Sequence, residues 1–159
     1  MSINSAKYKI KDLSVGQTFS FQKTIKETDV NKFADLSRDT NPLHMEDQFA
    51  IQKGFAGRVV HGVLLSSYLS KLVGVDFPGE NALLHSVELN FLSPAYINDK
   101  ITICAVIDQI SVSTNTIILK VNIKNMNNTL ILKGKMQVGF TKTKIKTTQR
   151  LKKKNQNCN

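Results

Sequence analysis

Apolar positions recur at two different spacings along this chain, and the change between them divides it. Residues 18–26, Thr-Phe-Ser-Phe-Gln-Lys-Thr-Ile-Lys, alternate and predict a half-buried strand. From Asp29 to Ser37 the spacing becomes helical, with Val30, Phe33, Ala34 and Ser37 on one face. Thr28 stands where it can cap that helix, and Asp29 suits the helix's positive end. Arg38 to Pro42 breaks the pattern with Asp, Asn and Pro, the residues of a turn. Glu46 to Lys53 predicts a short helix ended by Gly54. Val59 to Val73 is the most apolar segment, carries one charge (Lys71) and predicts a long buried helix stopped by Gly74. Gly62, Ser66 and Ser70 fall four apart and form a stripe of small residues, suited to close packing on a sheet or to contact with a ligand.

After Pro78-Gly79 the alternation returns. Val87, Leu89 and Phe91 interleave with Ser86, Glu88 and Asn90, and further β-rich runs follow at residues 101–110, 116–123 and 129–140. Asn125 to Asn128 predicts a hairpin turn between the last two runs. Consecutive strands with short connections pair antiparallel. Such a sheet has one apolar face to cover, and the Val59–Val73 helix is the one large apolar element available. The expected architecture is α+β, an antiparallel sheet wrapped around one long central helix, the arrangement called a hot-dog fold.

Length changes this picture little: 159 residues suit one domain with a full core. Charge changes it more. The formal net charge is +10, but the seven basic residues between Lys142 and Asn159 are matched by no acid, which leaves +3 (10 − 7) for residues 1–141. The reading is therefore a folded domain over 1–141 and a basic, disordered tail over 142–159. A basic tail can touch nucleic acid, anionic lipid or an acidic carrier protein. This one has no aromatic residue to stack on bases, so specific nucleic-acid recognition is not expected. Cys104 reads as a core residue and Cys158 as free, a usage that suits a reducing compartment. No apolar run reaches the ~18–20 residues of a membrane span. The first twenty residues lack the apolar core of a signal peptide, so the expected location is the cytoplasm.

Reactive side chains are densest in Asp39-Thr-Asn-Pro-Leu-His44. A carboxylate and an imidazole from one proline-fixed turn can hold a water between them, a setting for general acid–base catalysis. The plainer alternative has Asp39 capping a short helix after Pro42 and His44 as an ordinary loop histidine. His61, near the start of the apolar helix, reads as structural, and His85 as a surface or core-flanking residue of a strand. The three histidines follow no metal-ligand spacing, so neither a metal nor a cofactor is expected.

The stretch from Phe33 to His44, Phe-Ala-Asp-Leu-Ser-Arg-Asp-Thr-Asn-Pro-Leu-His, resembles the signature of the MaoC-like (R)-specific enoyl-CoA hydratases. The likeness continues through Phe49-Ala50, Val60-His61-Gly62 and the helix reaching Ser70, and covers residues 16–141. The resemblance implies addition of water to a trans-2-enoyl-CoA to give the (R)-3-hydroxyacyl-CoA, a reversible lyase reaction. Asp39 and His44 would activate the water, with the base left open between them. The backbone N–H of Gly62 would meet the thioester carbonyl at a helix start, where such groups are unpaired. Ser70 matches a serine of the family motif, and Asn41 joins the substrate-side positions chiefly by fixing the turn. The substrate carrier is CoA or acyl carrier protein, and a homodimer is expected because a lone unit leaves sheet edges open. Two other readings compete. A hot-dog acyl-CoA thioesterase would want a carboxylate on the central helix, and Val59–Val73 has none. A non-catalytic acyl-CoA-binding module would have no use for the Asp39–His44 pair.

Overall fold

The computed structural model describes residues 4–141. The basic segment 142–159 lies outside the described residues. The chain order is β1 (Thr18–Thr24), α1 (Glu27–Ser37), α2 (Pro42–Met45), α3 (Asp47–Gln52), α4 (Gly62–Lys71), then β2 (Ala82–Phe91), β3 (Lys100–Ser111), β4 (Thr116–Asn125) and β5 (Leu130–Phe140). The five strands form one sheet in the order β1-β3-β4-β5-β2, every neighbouring pair antiparallel. β1 and β2 are the edges. This is the expected hot-dog architecture, a sheet around a central helix.

The two-residue period of β3 and β4 explains the core. Ile101, Ile103, Ala105 and Ile107 of β3 and Ile117, Leu119, Val121 and Ile123 of β4 all point to one face and are buried. Leu64, Leu65 and Leu69 of α4 meet them in one continuous cluster. Each fully buried side chain of this kind contributes ~1.5–3 kcal/mol of transfer free energy. The β4–β5 hairpin closes as expected on Asn125, whose side-chain oxygen accepts the N–H groups of Asn127 and Thr129 at 3.0 and 2.9 Å.

Three expectations about the helices need correction. The apolar helix starts at Gly62, not Val59, and beyond Lys71 it relaxes into a π-helical turn, Leu72–Asp76, that passes through Gly74. Val59 and Val60 are extended instead. Val59 bridges to Tyr96, and the Val60 N–H donates to the Ala95 carbonyl at 2.8 Å, a conformation that β-branched pairs favour. Thr28 does not cap α1. That helix begins two residues earlier than such a cap implies, at Glu27, and the Asp29 carboxylate accepts the Lys26 N–H at 3.1 Å. Finally, the turn after Asn41 contains a helix of its own, α2, because Pro42 sits at its first position with φ already set.

Candidate active site

α1 ends at Ser37, and Arg38 after it adopts a left-handed conformation (φ 63°) that turns the chain sharply into Asp39. Asp39 Oδ1 accepts the Asn41 N–H at 3.3 Å, which leaves Oδ2 free for other partners. Asn41 Oδ1 accepts the Leu43 N–H at 2.9 Å and so caps α2. One turn of α2 then carries His44 back toward Asp39. The His44 ring is held by the Val59 carbonyl, which lies 2.7 Å from Nδ1. A carbonyl only accepts, so Nδ1 carries a proton, and in the neutral ring Nε2 presents a lone pair. That Nε2 lies 4.0 Å from Asp39 Oδ2. The extension of Val59 described above is thus what orients the imidazole.

Two residues outside the sequence-based site complete it. Arg58, 9% exposed, runs beneath the turn. Its Nε donates to the His44 carbonyl at 2.7 Å, Nη1 to Glu27 at 2.9 Å and Nη2 to Asn31 at 2.7 Å, while its own N–H donates to Asp47 at 2.9 Å. It therefore pins α2 to α1. His61, 2% exposed, lies with its ring 3.9 Å from that of His44 and 5.0 Å from that of Phe33, centroid to centroid. Its Nε2 donates to the Asp39 carbonyl at 3.0 Å. Burial lowers the His61 pKa below the usual histidine value, and the neighbouring His44 and Arg58 push the same way. Read as structural from its place in the chain, His61 lies within reach of both members of the pair. Its position beside Gly62 was the available signal. Arg58 gave none, since its partners come from four distant points in the sequence.

Gly62 is the first residue of α4, and the first N–H groups of a helix have no intrahelical acceptor. A side chain here would collide with Phe91, whose ring lies 2.9 Å from the position of a Cβ. Gly62 and His44 line one cleft of about 420 Å³, walled by Phe55, Leu65, Phe91 and Leu92. Asp39 and Asn41 do not line it, and the Asn41 side-chain oxygen is committed to the helix cap. Ser70 does not line it either. It is exposed, eight residues along α4 from Gly62, or ~12 Å at 1.5 Å per residue.

Asp39, His44 and His61 bring ligand-type atoms within 4.8 Å of one another. As they stand they do not match the spacing of four-coordinate zinc. Four-coordinate zinc with nitrogen and oxygen ligands needs donors about 3.4 Å apart, whereas both imidazole Nε2 atoms lie 4.0 Å from Asp39 Oδ2. His61 Nε2 would also have to give up the Asp39 carbonyl.

A family described as MaoC like domain matches residues 11–129. An (R)-specific enoyl-CoA hydratase of Rhodospirillum rubrum is 38% identical over 91 residues, 57% of this chain and 63% of that protein. A mitochondrial 3-hydroxyacyl (acyl-carrier-protein) dehydratase of Arabidopsis thaliana is 38% identical over 89 residues, 56% of this chain and 52% of that one. The matched stretch thus spans less than two thirds of either relative. Among solved structures, an (R)-hydratase from A. caviae, described as involved in PHA biosynthesis, superposes with a TM-score of 0.79 at 30% identity. That match covers 82% of this chain and 99% of the other.

Proposed function

From its membership of the MaoC-like domain family we propose that this chain is a hydratase, adding water across the C2–C3 double bond of a trans-2-enoyl thioester. The observation that carries the proposal is the 4.0 Å gap between Asp39 Oδ2 and His44 Nε2, two acceptors facing each other. A water about 2.8 Å from each would subtend an angle of about 90°, near its own bond angle of about 105°. Such a water gives both hydrogens to the pair and turns its lone pairs outward. Its oxygen bonds to C3 as one hydrogen passes to the pair, and the pair returns a proton to C2. The reverse sequence expels water from a 3-hydroxyacyl thioester.

Negative charge gathers on the thioester oxygen as the C–O bond forms. The N–H groups at the start of α4, Gly62 first, supply a donor and a positive helix end beside the cleft that His44 lines. The apolar walls suit an acyl chain. The names of the relatives support the (R) product and include both CoA and carrier-protein thioesters, of which we favour CoA. The free thiol of Cys104 is consistent with a reducing compartment such as the cytoplasm, and among the described residues no helix is long and apolar enough to cross a membrane. A homodimer joined through β2 forms part of the same proposal.

Crotonyl-CoA loses its conjugated absorbance when hydrated. Wild-type protein should bleach it without releasing thiol, whereas a thioesterase would release thiol. Asp39→Asn and His44→Gln should each lose ~10²–10⁴-fold in rate with unchanged circular dichroism. Undiminished hydration in either variant would overturn the acid–base assignment.

A further inference from the structure

We propose that His61 is a positioning residue for the Asp39–His44 pair, acting through its Nε2–H on the Asp39 backbone. The inference rests on the hydratase reading and extends it to a third side chain.

Its tautomer follows from one contact. Nε2 lies 3.0 Å from the Asp39 carbonyl, and only an N–H can face a carbonyl at that distance. In the neutral ring Nδ1 is then a bare acceptor, and no protein group among the described residues hydrogen-bonds it. Burial and the flanking His44 and Arg58 oppose a second proton. The other nitrogen, Nε2, holds the main chain of Asp39.

The rest of its surroundings fit that role. The Asp39 side chain is half exposed, so burial does not fix it. What fixes its backbone is the Nε2–H bond from His61, together with the Asp39 N–H bond to Ser37 Oγ at 3.2 Å. On the other face the His61 ring lies against His44, 3.9 Å between centroids, with Phe33 behind it at 5.0 Å. His61 also directly precedes Gly62, the first residue of α4. The Nε2–H donor therefore fixes the Asp39 main chain beside the imidazole it works with. Displacements on the order of 1 Å in such a constellation cost up to ~10²-fold in rate.

The test pairs two substitutions. His61→Phe keeps a ring between His44 and Phe33 and removes the donor. His61→Gln loses the ring but places an amide N–H where Nε2–H stood. With crotonyl-CoA, His61→Phe should lower kcat ~10–100-fold and leave KM within ~3-fold, since the lost interaction serves the transition state. His61→Gln should recover most of that loss. Wild-type kcat in His61→Phe, or equal impairment in both variants, would overturn the proposal and leave His61 a packing residue. A second measurement does not need activity. Nitrogen NMR of labelled histidine in the wild-type protein at neutral pH should show His61 neutral with its proton on Nε2. A proton on Nδ1, or a cationic ring, would refute the geometry. An inactive wild-type protein with the expected His61 tautomer would instead refute the hydratase reading alone.

Discussion

A buried imidazole that prefers to stay neutral ties the stability of this protein to pH. The His61 pKa is lowered in the fold by burial, with His44 and Arg58 adding to the effect against Asp39. In the unfolded chain it titrates near 6.5. Between the two values the unfolded state binds more protons, so stability rises with pH across that window. Acidification from 7 should therefore lower the melting temperature, beginning near pH 6.5, and His61→Gln should remove part of the slope. An identical slope in that variant would show that His61 does not contribute. Arg58 makes a different demand. Its three side-chain donors reach the His44 carbonyl, Glu27 and Asn31 at once, in a fork that lysine does not reproduce. Arg58→Lys should destabilise the fold by ~2–3 kcal/mol in urea titrations, from lost charge-assisted hydrogen bonds. It should also slow crotonyl-CoA hydration, because α2 is no longer pinned. Wild-type stability would mean that Arg58 adds little beyond the packing of its stem.

At the scale of elements the smallest helix matters most to the site. α2 has one turn and no buried residue, so its end groups decide whether it forms. The Asn41 cap supplies one of them. Asn41→Ala should cost ~1 kcal/mol and Asn41→Asp should cost far less, read by urea denaturation. Equal losses would argue that the turn is held from outside. The ease of reading each element in the sequence follows from the same physics. β3 and β4 were legible because burial on one face imposes strict alternation over ten or more residues, and Asp39 and His44 because they share one turn. α2 shows no period in four residues, so it stood only as an alternative, a short helix after Pro42, and its cap is Asn41 rather than Asp39. Val59 and Val60 were absorbed into the helix because an apolar run shows no period that would reveal where it bends. Their extension depends on Tyr96 and Ala95, more than thirty residues away. Arg58 and the role of His61 were hidden for the same reason, as their partners are neighbours only in space.

The whole molecule poses one remaining problem, the uncovered strand β2. Cross-strand partners share a face, so Leu84, Val87, Leu89 and Phe91, which pair with Val138, Met136, Gly134 and Leu132, look toward the core side of the sheet. Their partners Val138, Met136 and Leu132 are buried, yet Leu84, Val87 and Phe91 remain 38%, 45% and 52% exposed. The start of α4 reaches Phe91 at Gly62, yet these three side chains stay largely open. An apolar face beside an open strand edge invites a further strand, and a second copy of β2 offers the same alternation by two-fold symmetry. The sheet would then run on from one protomer into the other. Phe91 also walls the cleft that His44 and Gly62 line, so the joint would border the site. Val87→Glu places a charge at the centre of that face without touching Asp39, His44 or the cleft lining. Light scattering should find the wild-type chain at twice 17.8 kDa and the variant at 17.8 kDa. The monomeric variant should hydrate crotonyl-CoA at least ~10-fold more slowly, since Phe91 and Leu92 would lose the surface that holds them. A wild-type monomer would remove the dimer from the proposal. A fully active monomeric variant would show instead that one chain builds the whole site.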